Sequence, residues 1–484
     1  MHSQRSALAV LAVAADNSAA VCIGRLFALT ARVVWNRFML TVETGCAQKN
    51  CSGVTRRAFL EVGTLGLGGL SLSGLLAARA CAASEGRTVK DTSVVLLFLT
   101  GGPSQIETFD PKMTAPSEYR SVTGAVKTKL PGVALGGTFP KLAGLAGSMA
   151  FVRSFTHETS DHTKAVEQVI RGGNPVNRAG MGAIAARLRG TSHPQTGMPT
   201  HLYLSAKEVD RQFNKERLRL RVAGGAGDLG GAYGPLEAGG DGRLDENMTL
   251  RISRSRLDER LTLQTALDRL HRRVETRGGM RELDTFQQQA LDLVLGKSRA
   301  AFDLSGEDPR LIERYDTSRF VTGITGFRRS PLGKQLLLAR RLCEAGCGFV
   351  TIHNPGWDMH GGATQLNMPR GMETLGRPVD HAVSAFIEDV AIRGLSDRTL
   401  LIITGEFGRT PKVKDNGGRD HWPRLSTLAF AGGGLRMGQV IGRSSAKAEE
   451  PRSDPVTLDN LCCTFCSTCR NSRHNRTCRA TSPR

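Results

Sequence analysis

Three polar clusters in the second half of the chain carry the residue types that divalent-metal chemistry uses. They are His353-Asn354-Pro355-Gly356-Trp357-Asp358-Met359-His360, Gly405-Glu406-Phe407-Gly408-Arg409-Thr410, and Arg419-Asp420-His421-Trp422-Pro423. An earlier segment, His157-Glu158-Thr159-Ser160-Asp161-His162, is of the same kind. Carboxylates neutralise a dication and neutral imidazoles complete its shell. The ion then polarises a phosphoryl or sulfuryl oxygen, or lowers the pKa of a bound water. Each cluster also has an ordinary reading. An Asp and a His two apart in a loop are commonly solvated, and the Glu406–Arg409 pair suits a helix cap with a surface ion pair. Position decides between them.

Continuous apolar runs at Ser93 to Thr100, Gly348 to Ile352, Thr399 to Thr404 and Leu425 to Ala431 read as strands buried on both faces. Met149 to Arg153 and Thr200 to Leu204 are shorter strands. Helical spacing marks 162–169, 332–345 and 378–392, with Val379, Val383, Phe386 and Val390 on one face of the last. Residues 254–300 have the same spacing and read as a helical insertion broken at Gly278-Gly279. Strands alternating with helices imply parallel pairing with right-handed crossovers. The expected fold is α/β, a mostly parallel central sheet with helices on both faces. In such sheets the site lies outside the carboxyl ends of the strands, which is where the three clusters fall.

Composition supports an enzyme-sized globular body over 84–461. The net charge of +20 is spread among acids and concentrated in part at the two ends, so no nucleic-acid partner is expected. Of the 11 cysteines, Cys343 and Cys347 lie within that body and read as packed small residues.

The ends read differently. Thr55-Arg56-Arg57-Ala58-Phe59-Leu60 precedes a Gly- and Leu-rich apolar run of about 15 residues, short of the ~20 a membrane span needs. With the small residues of 77–83 it reads as a twin-arginine export signal over 55–83. The expected partner is the twin-arginine translocation machinery, the expected location periplasmic or extracellular, with no stable membrane span after signal removal. Met39 is the expected start, which leaves 1–54 as an upstream extension and signal n-region. Residues 1–38 show no strand or helix period. At the other end, 462–484 form a Cys- and Arg-rich tail read as frame-shifted. The alternative there is a metal cluster on Cys463, Cys466, Cys469 and Cys478.

These motifs together, with Phe98-Leu99-Thr100-Gly101-Gly102-Pro103-Ser104-Gln105, Thr108-Phe109-Asp110-Pro111-Lys112 and Val152-Arg153-Ser154, resemble the domain-of-unknown-function 1501 family. The resemblance runs from about Thr55 to Leu461. It implies exported bacterial proteins of sulfatase-like, alkaline-phosphatase-superfamily fold. Carried over by position, the superfamily's ligands fall on Asp358, His360, Glu406 and His421. The ion expected there is zinc, with calcium, magnesium or manganese as alternatives. The resemblance departs in two places. Gly101-Gly102-Pro103-Ser104 stands where the superfamily has a metal-binding Asp, and a sulfatase-type Cys-x-Pro-x-Arg is missing.

Ser160 and Ser104 are the candidate nucleophiles, with helix capping as the competing role for Ser160. His157 and His162 are expected at the rim, one of them as ligand or general acid. The planar fork of Arg409 suits a substrate oxyanion. The expected activity is hydrolysis of phosphate or sulfate esters, on a small molecule or polysaccharide. The competing class is an inactive sulfatase-like binding or scaffolding protein.

Overall fold

The computed structural model describes residues 32–36, 39–43, 92–173, 177–205, 213–239, 253, 255–260, 262–263, 291, 293, 297–322, 328–362, 365–462 and 464. The export signal, most of the insertion at 254–300 and the tail beyond 464 lie outside the described residues. The chain divides into two units, 1–63 and 64–484. In the first, Arg32–Asn36 pairs antiparallel with Met39–Glu43. That differs from the patternless reading of 1–38. Val33, Val34 and Trp35 have high strand propensity, and pairing, more than alternation, defines this strand.

The second unit is built on a sheet of eight strands. In chain order they are β1 (Ser93–Leu99), β2 (Met149–Val152), β3 (His201–Ser205), β4 (Leu236–Gly239), β5 (Phe349–Asn354), β6 (Thr399–Thr404), β7 (Leu428–Gly432) and β8 (Gln439–Ile441). Their spatial order is β8-β2-β7-β6-β1-β5-β3-β4. Only β7 runs against the others. The expectation of a mostly parallel sheet therefore holds, with β7 as the exception. It enters after a long irregular loop with no crossover helix, which is the connection an antiparallel neighbour permits.

Every residue of β1, β5 and β6 is buried, because helices cover both faces. Val95, Leu97 and Leu99 point into one core with α5 (Leu332–Glu344) and α6 (Arg377–Ile392). Val94, Leu96 and Phe98 point into the other, with α1 (His162–Ile170), α2 (Met181–Arg189) and α3 (Asn214–Ala223). The helix between α3 and α5, Pro309–Tyr315, is α4. Burying each such Leu, Val or Phe contributes about 1.5–3 kcal/mol. Among the described residues no helix is long and apolar enough to cross a membrane.

Register brings the strand ends level. Asn354 lies opposite Leu99, and Thr404 opposite Phe98, so the loops after β5, β1 and β6 emerge side by side.

Candidate metal centre

Gly101 makes that convergence possible. Its φ is +114°, and a Cβ there would meet the Asp358 nitrogen at 2.4 Å. Only glycine lets the turn after β1 lie against the Trp357–Asp358 peptide. Trp357 is buried beneath, its Nε1 donating to Asn354 Oδ1 at 2.8 Å. On the other side Gly408–Arg409 pairs with His421–Trp422, setting Arg409 opposite His421. Under this ladder the Arg419–Glu107 ion pair, at 3.1 Å and fully buried, fixes the chain that carries Asp420 and His421.

Asp358 is the hub. Its Oδ1 lies 3.0 Å from His360 Nε2, 3.2 Å from His421 Nε2 and 2.6 Å from an Arg409 nitrogen. Its Oδ2 lies 3.5 Å from His162 Nε2 and accepts from Gln365 Nε2 at 3.3 Å. The two Nε2 atoms of His360 and His421 are 2.9 Å apart. Burial raises the Asp358 pKa, but hydrogen bonds from His162, His360 and His421 and the Arg409 charge outweigh it and hold the carboxyl well below its usual range.

Glu406 is fully buried. Its Oε1 accepts from the Gly101 N–H at 2.7 Å and lies 2.9 Å from His162 Nδ1. Burial lowers the His162 pKa, but its bonds to Asp358 and Glu406 and the charges of both carboxylates outweigh it and raise it to about 9. The Phe407 ring packs 4.9 Å from His162 and 4.5 Å from His421.

Could these residues hold a cation? His421 Nδ1 lies 2.9 Å from the Ser160 carbonyl oxygen, and His360 Nδ1 2.7 Å from Asp420 Oδ1. Both oxygens only accept, so each Nδ1 carries the proton. That leaves the two Nε2 atoms facing each other beside an anionic oxygen, with an Arg409 nitrogen 3.4 Å from that of His360. A proton or cation between them relieves that crowding beyond what Arg409 supplies, and the donor types are those of zinc. The centre fits a metal. The donor atoms of His162, Asp358 and His421 also lie within 4.8 Å of one another.

Asp358, His360, Glu406 and His421 thus come together, and His162 joins them from the first turn of α1. Three other candidates sit differently from expectation. His157 is buried and not at the rim, because its backbone N–H bonds Pro423 O at 3.2 Å beneath the His421 strand. Burial pushes its pKa down to about 4. Ser160 is exposed and does not cap α1; Asp161 does, accepting from Lys164 N at 2.9 Å.

Arg409 cannot offer its fork to a substrate. It is fully buried and donates to the carbonyls of Gly101, Gly102, Trp357 and Arg419 as well as to Asp358. It serves as a fixed internal cation for Asp358. Ser104, the second nucleophile candidate, is buried at the base of the β1 loop, where its carbonyl accepts from Thr108 Oγ1 at 2.8 Å.

The sequence marks neither Gln365 nor Glu216, and Asp420 enters it only within the third cluster, with no role of its own. Asp420 was visible next to His421. Glu216, on α3, accepts from the Gly356 N–H at 3.3 Å, and nothing in its helical context marks it. Burial and the Glu406 and Asp358 charges push its pKa up to about 8 against that hydrogen bond.

Fold and centre define an α/β protein with an imidazole–carboxylate cluster at the carboxyl ends of its strands. The chain belongs to the family described as protein of unknown function, DUF1501, which matches residues 91–481. No curated protein matches it in sequence. Among solved structures it is similar to PsFucS1 sulfatase from Pseudoalteromonas sp., at 12% identity over 82% of this chain and 71% of that one, TM-score 0.31. It is also similar to the lipoteichoic acid synthase LtaP from Listeria monocytogenes, at 9% identity over 80% and 81%, TM-score 0.33. TAB5 alkaline phosphatase, with Mg bound, is similar at 11% identity over 79% and 99%, TM-score 0.31.

Proposed function

We propose that this protein is an exported, metal-dependent hydrolase of phosphate or sulfate esters, acting on a small molecule or polysaccharide. The observation that carries this reading is the convergence of His360 Nε2, His421 Nε2 and Asp358 Oδ1, 2.9 to 3.2 Å apart, at the carboxyl ends of parallel strands in a mostly parallel sheet. Asp358, His360 and His421 hold the ion, with Glu406 or His162 beside them. When bound, the ion supplies a polarised ester oxygen or an acidified water. Arg409 keeps Asp358 ionised and in place. The Ser160 carbonyl and Asp420 fix the two imidazole tautomers, and the exposed Ser160 hydroxyl is the candidate nucleophile. Export through the twin-arginine pathway to the periplasm or beyond, with 55–83 as the signal, belongs to the same proposal.

The second reading, an inactive binding or scaffolding protein, is favoured by one observation. Gly101 and Gly102 replace an acid at the end of β1, and the cation nearest Asp358 is the fully engaged Arg409. Assay of aryl phosphate and sulfate esters, with zinc, manganese or calcium restored to chelator-stripped protein, separates the two. Metal-dependent turnover that disappears in His421→Ala, with the far-UV spectrum unchanged, supports the hydrolase. Equal turnover in both proteins contradicts it.

A further inference from the structure

We infer that His162, and not Glu406, completes the ligand set. The ion then faces three imidazoles and the Asp358 carboxylate, while Glu406 orients His162 from behind. This rests on the metal reading above.

The three histidines share one construction. Nδ1 of His162 lies 2.9 Å from Glu406 Oε1, Nδ1 of His360 2.7 Å from Asp420 Oδ1, and Nδ1 of His421 2.9 Å from the Ser160 carbonyl. Each acceptor fixes the proton on Nδ1 and leaves Nε2 as the donor facing inward, the arrangement by which outer carboxylates and carbonyls orient metal-bound imidazoles. All three Nε2 atoms turn to the same carboxylate, His162 to Oδ2 at 3.5 Å, His360 and His421 to Oδ1 at 3.0 and 3.2 Å, and the donors of His162, Asp358 and His421 lie within 4.8 Å of one another.

They arrive from independent elements: the start of α1, the loop after β5 and the two-residue strand at His421. Glu406 lies behind this layer. Its Oε1 is engaged by Gly101 and His162, and only the buried Oε2, which has no partner among the described residues, is left for the competing set. Three nitrogens and one oxygen suit zinc.

The test titrates chelator-stripped full-length protein with zinc, comparing wild type, His162→Ala, Glu406→Gln and His421→Ala. X-ray absorption of the zinc-loaded wild type counts its imidazoles. His162→Ala and His421→Ala are expected to weaken binding more than Glu406→Gln, which keeps its zinc with an affinity lowered about 10–100-fold, as for an outer partner. The absorption spectrum is expected to show three imidazoles. Glu406→Gln emptied like His421→Ala while His162→Ala stays filled, or a spectrum with two imidazoles, overturns the assignment and leaves the metal reading standing. Wild type that takes up no zinc overturns both. Should a variant fail to fold, the wild-type spectrum decides alone.

Discussion

Asp358 and His162 interact through charge, and that makes the metal-free protein sensitive to pH in a defined direction. The His162 pKa stands at about 9 in the fold against an ordinary 6.5, so the folded state holds more protons between those values. Stability from this group is complete below about pH 6.5 and is lost as pH rises through 9. Glu216, raised to about 8 from an ordinary 4.5, acts in the same sense over a lower window. The melting temperature of chelator-stripped protein should therefore decline from pH 6 to 9.5, and less steeply in His162→Gln. An equal decline in both would show that the His162 proton is not held by the fold.

At this scale the sequence was informative about donors and silent about access. Asp358, His360 and His421 announce themselves by type and spacing at strand ends. The burial of Arg409 does not, since it depends on carbonyls of Gly101 and Gly102, which lie some 300 residues away in the chain.

Among the elements, the turn after β1 is the most constrained part of the centre. Gly101→Ala would place a methyl 2.4 Å from the Asp358 nitrogen at a φ of +114°. Strain and displacement together should cost about 2–4 kcal/mol, measured by urea unfolding, and should lower metal affinity by moving Asp358. A variant with unchanged stability and metal content would mean that the turn does not set the position of Asp358. The strands and helices themselves were legible because full burial of β1, β5 and β6 leaves continuous apolar runs, and α5 and α6 keep a helical period. The direction of β7 was not. Nothing in a short apolar run encodes which way its neighbour runs, and the 405–427 excursion that decides it is held by distant ion pairs such as Arg419–Glu107. The cap of α1 is Asp161 and not its neighbour Ser160, for which capping was the competing role; both types cap well and only backbone geometry separates them.

In the second unit, two cores lie on opposite faces of one sheet, and the centre is assembled at the carboxyl ends of its central strands from segments far apart in sequence. Folding must therefore be complete before the ligands meet. Such a protein suits an export route that carries folded cargo, which is the physical sense of the proposed signal at Arg56-Arg57. Replacing both arginines with lysine should leave the precursor in the cytoplasm, as fractionation would show; unchanged export would remove the twin-arginine proposal. At the far end, Leu461 and Cys462 are buried in the second core. A truncation that tests the tail should thus begin after Thr464, and is expected to leave the melting temperature as it was.

Asp358, His360 and His421 are proposed above to hold a divalent ion. The most direct measurement is elemental analysis of full-length protein purified without chelator, wild type beside His421→Ala. Stoichiometric metal is expected in the wild type, and its loss in the variant at unchanged fold. Wild type without metal, or a variant that keeps all of it, would remove these residues as ligands.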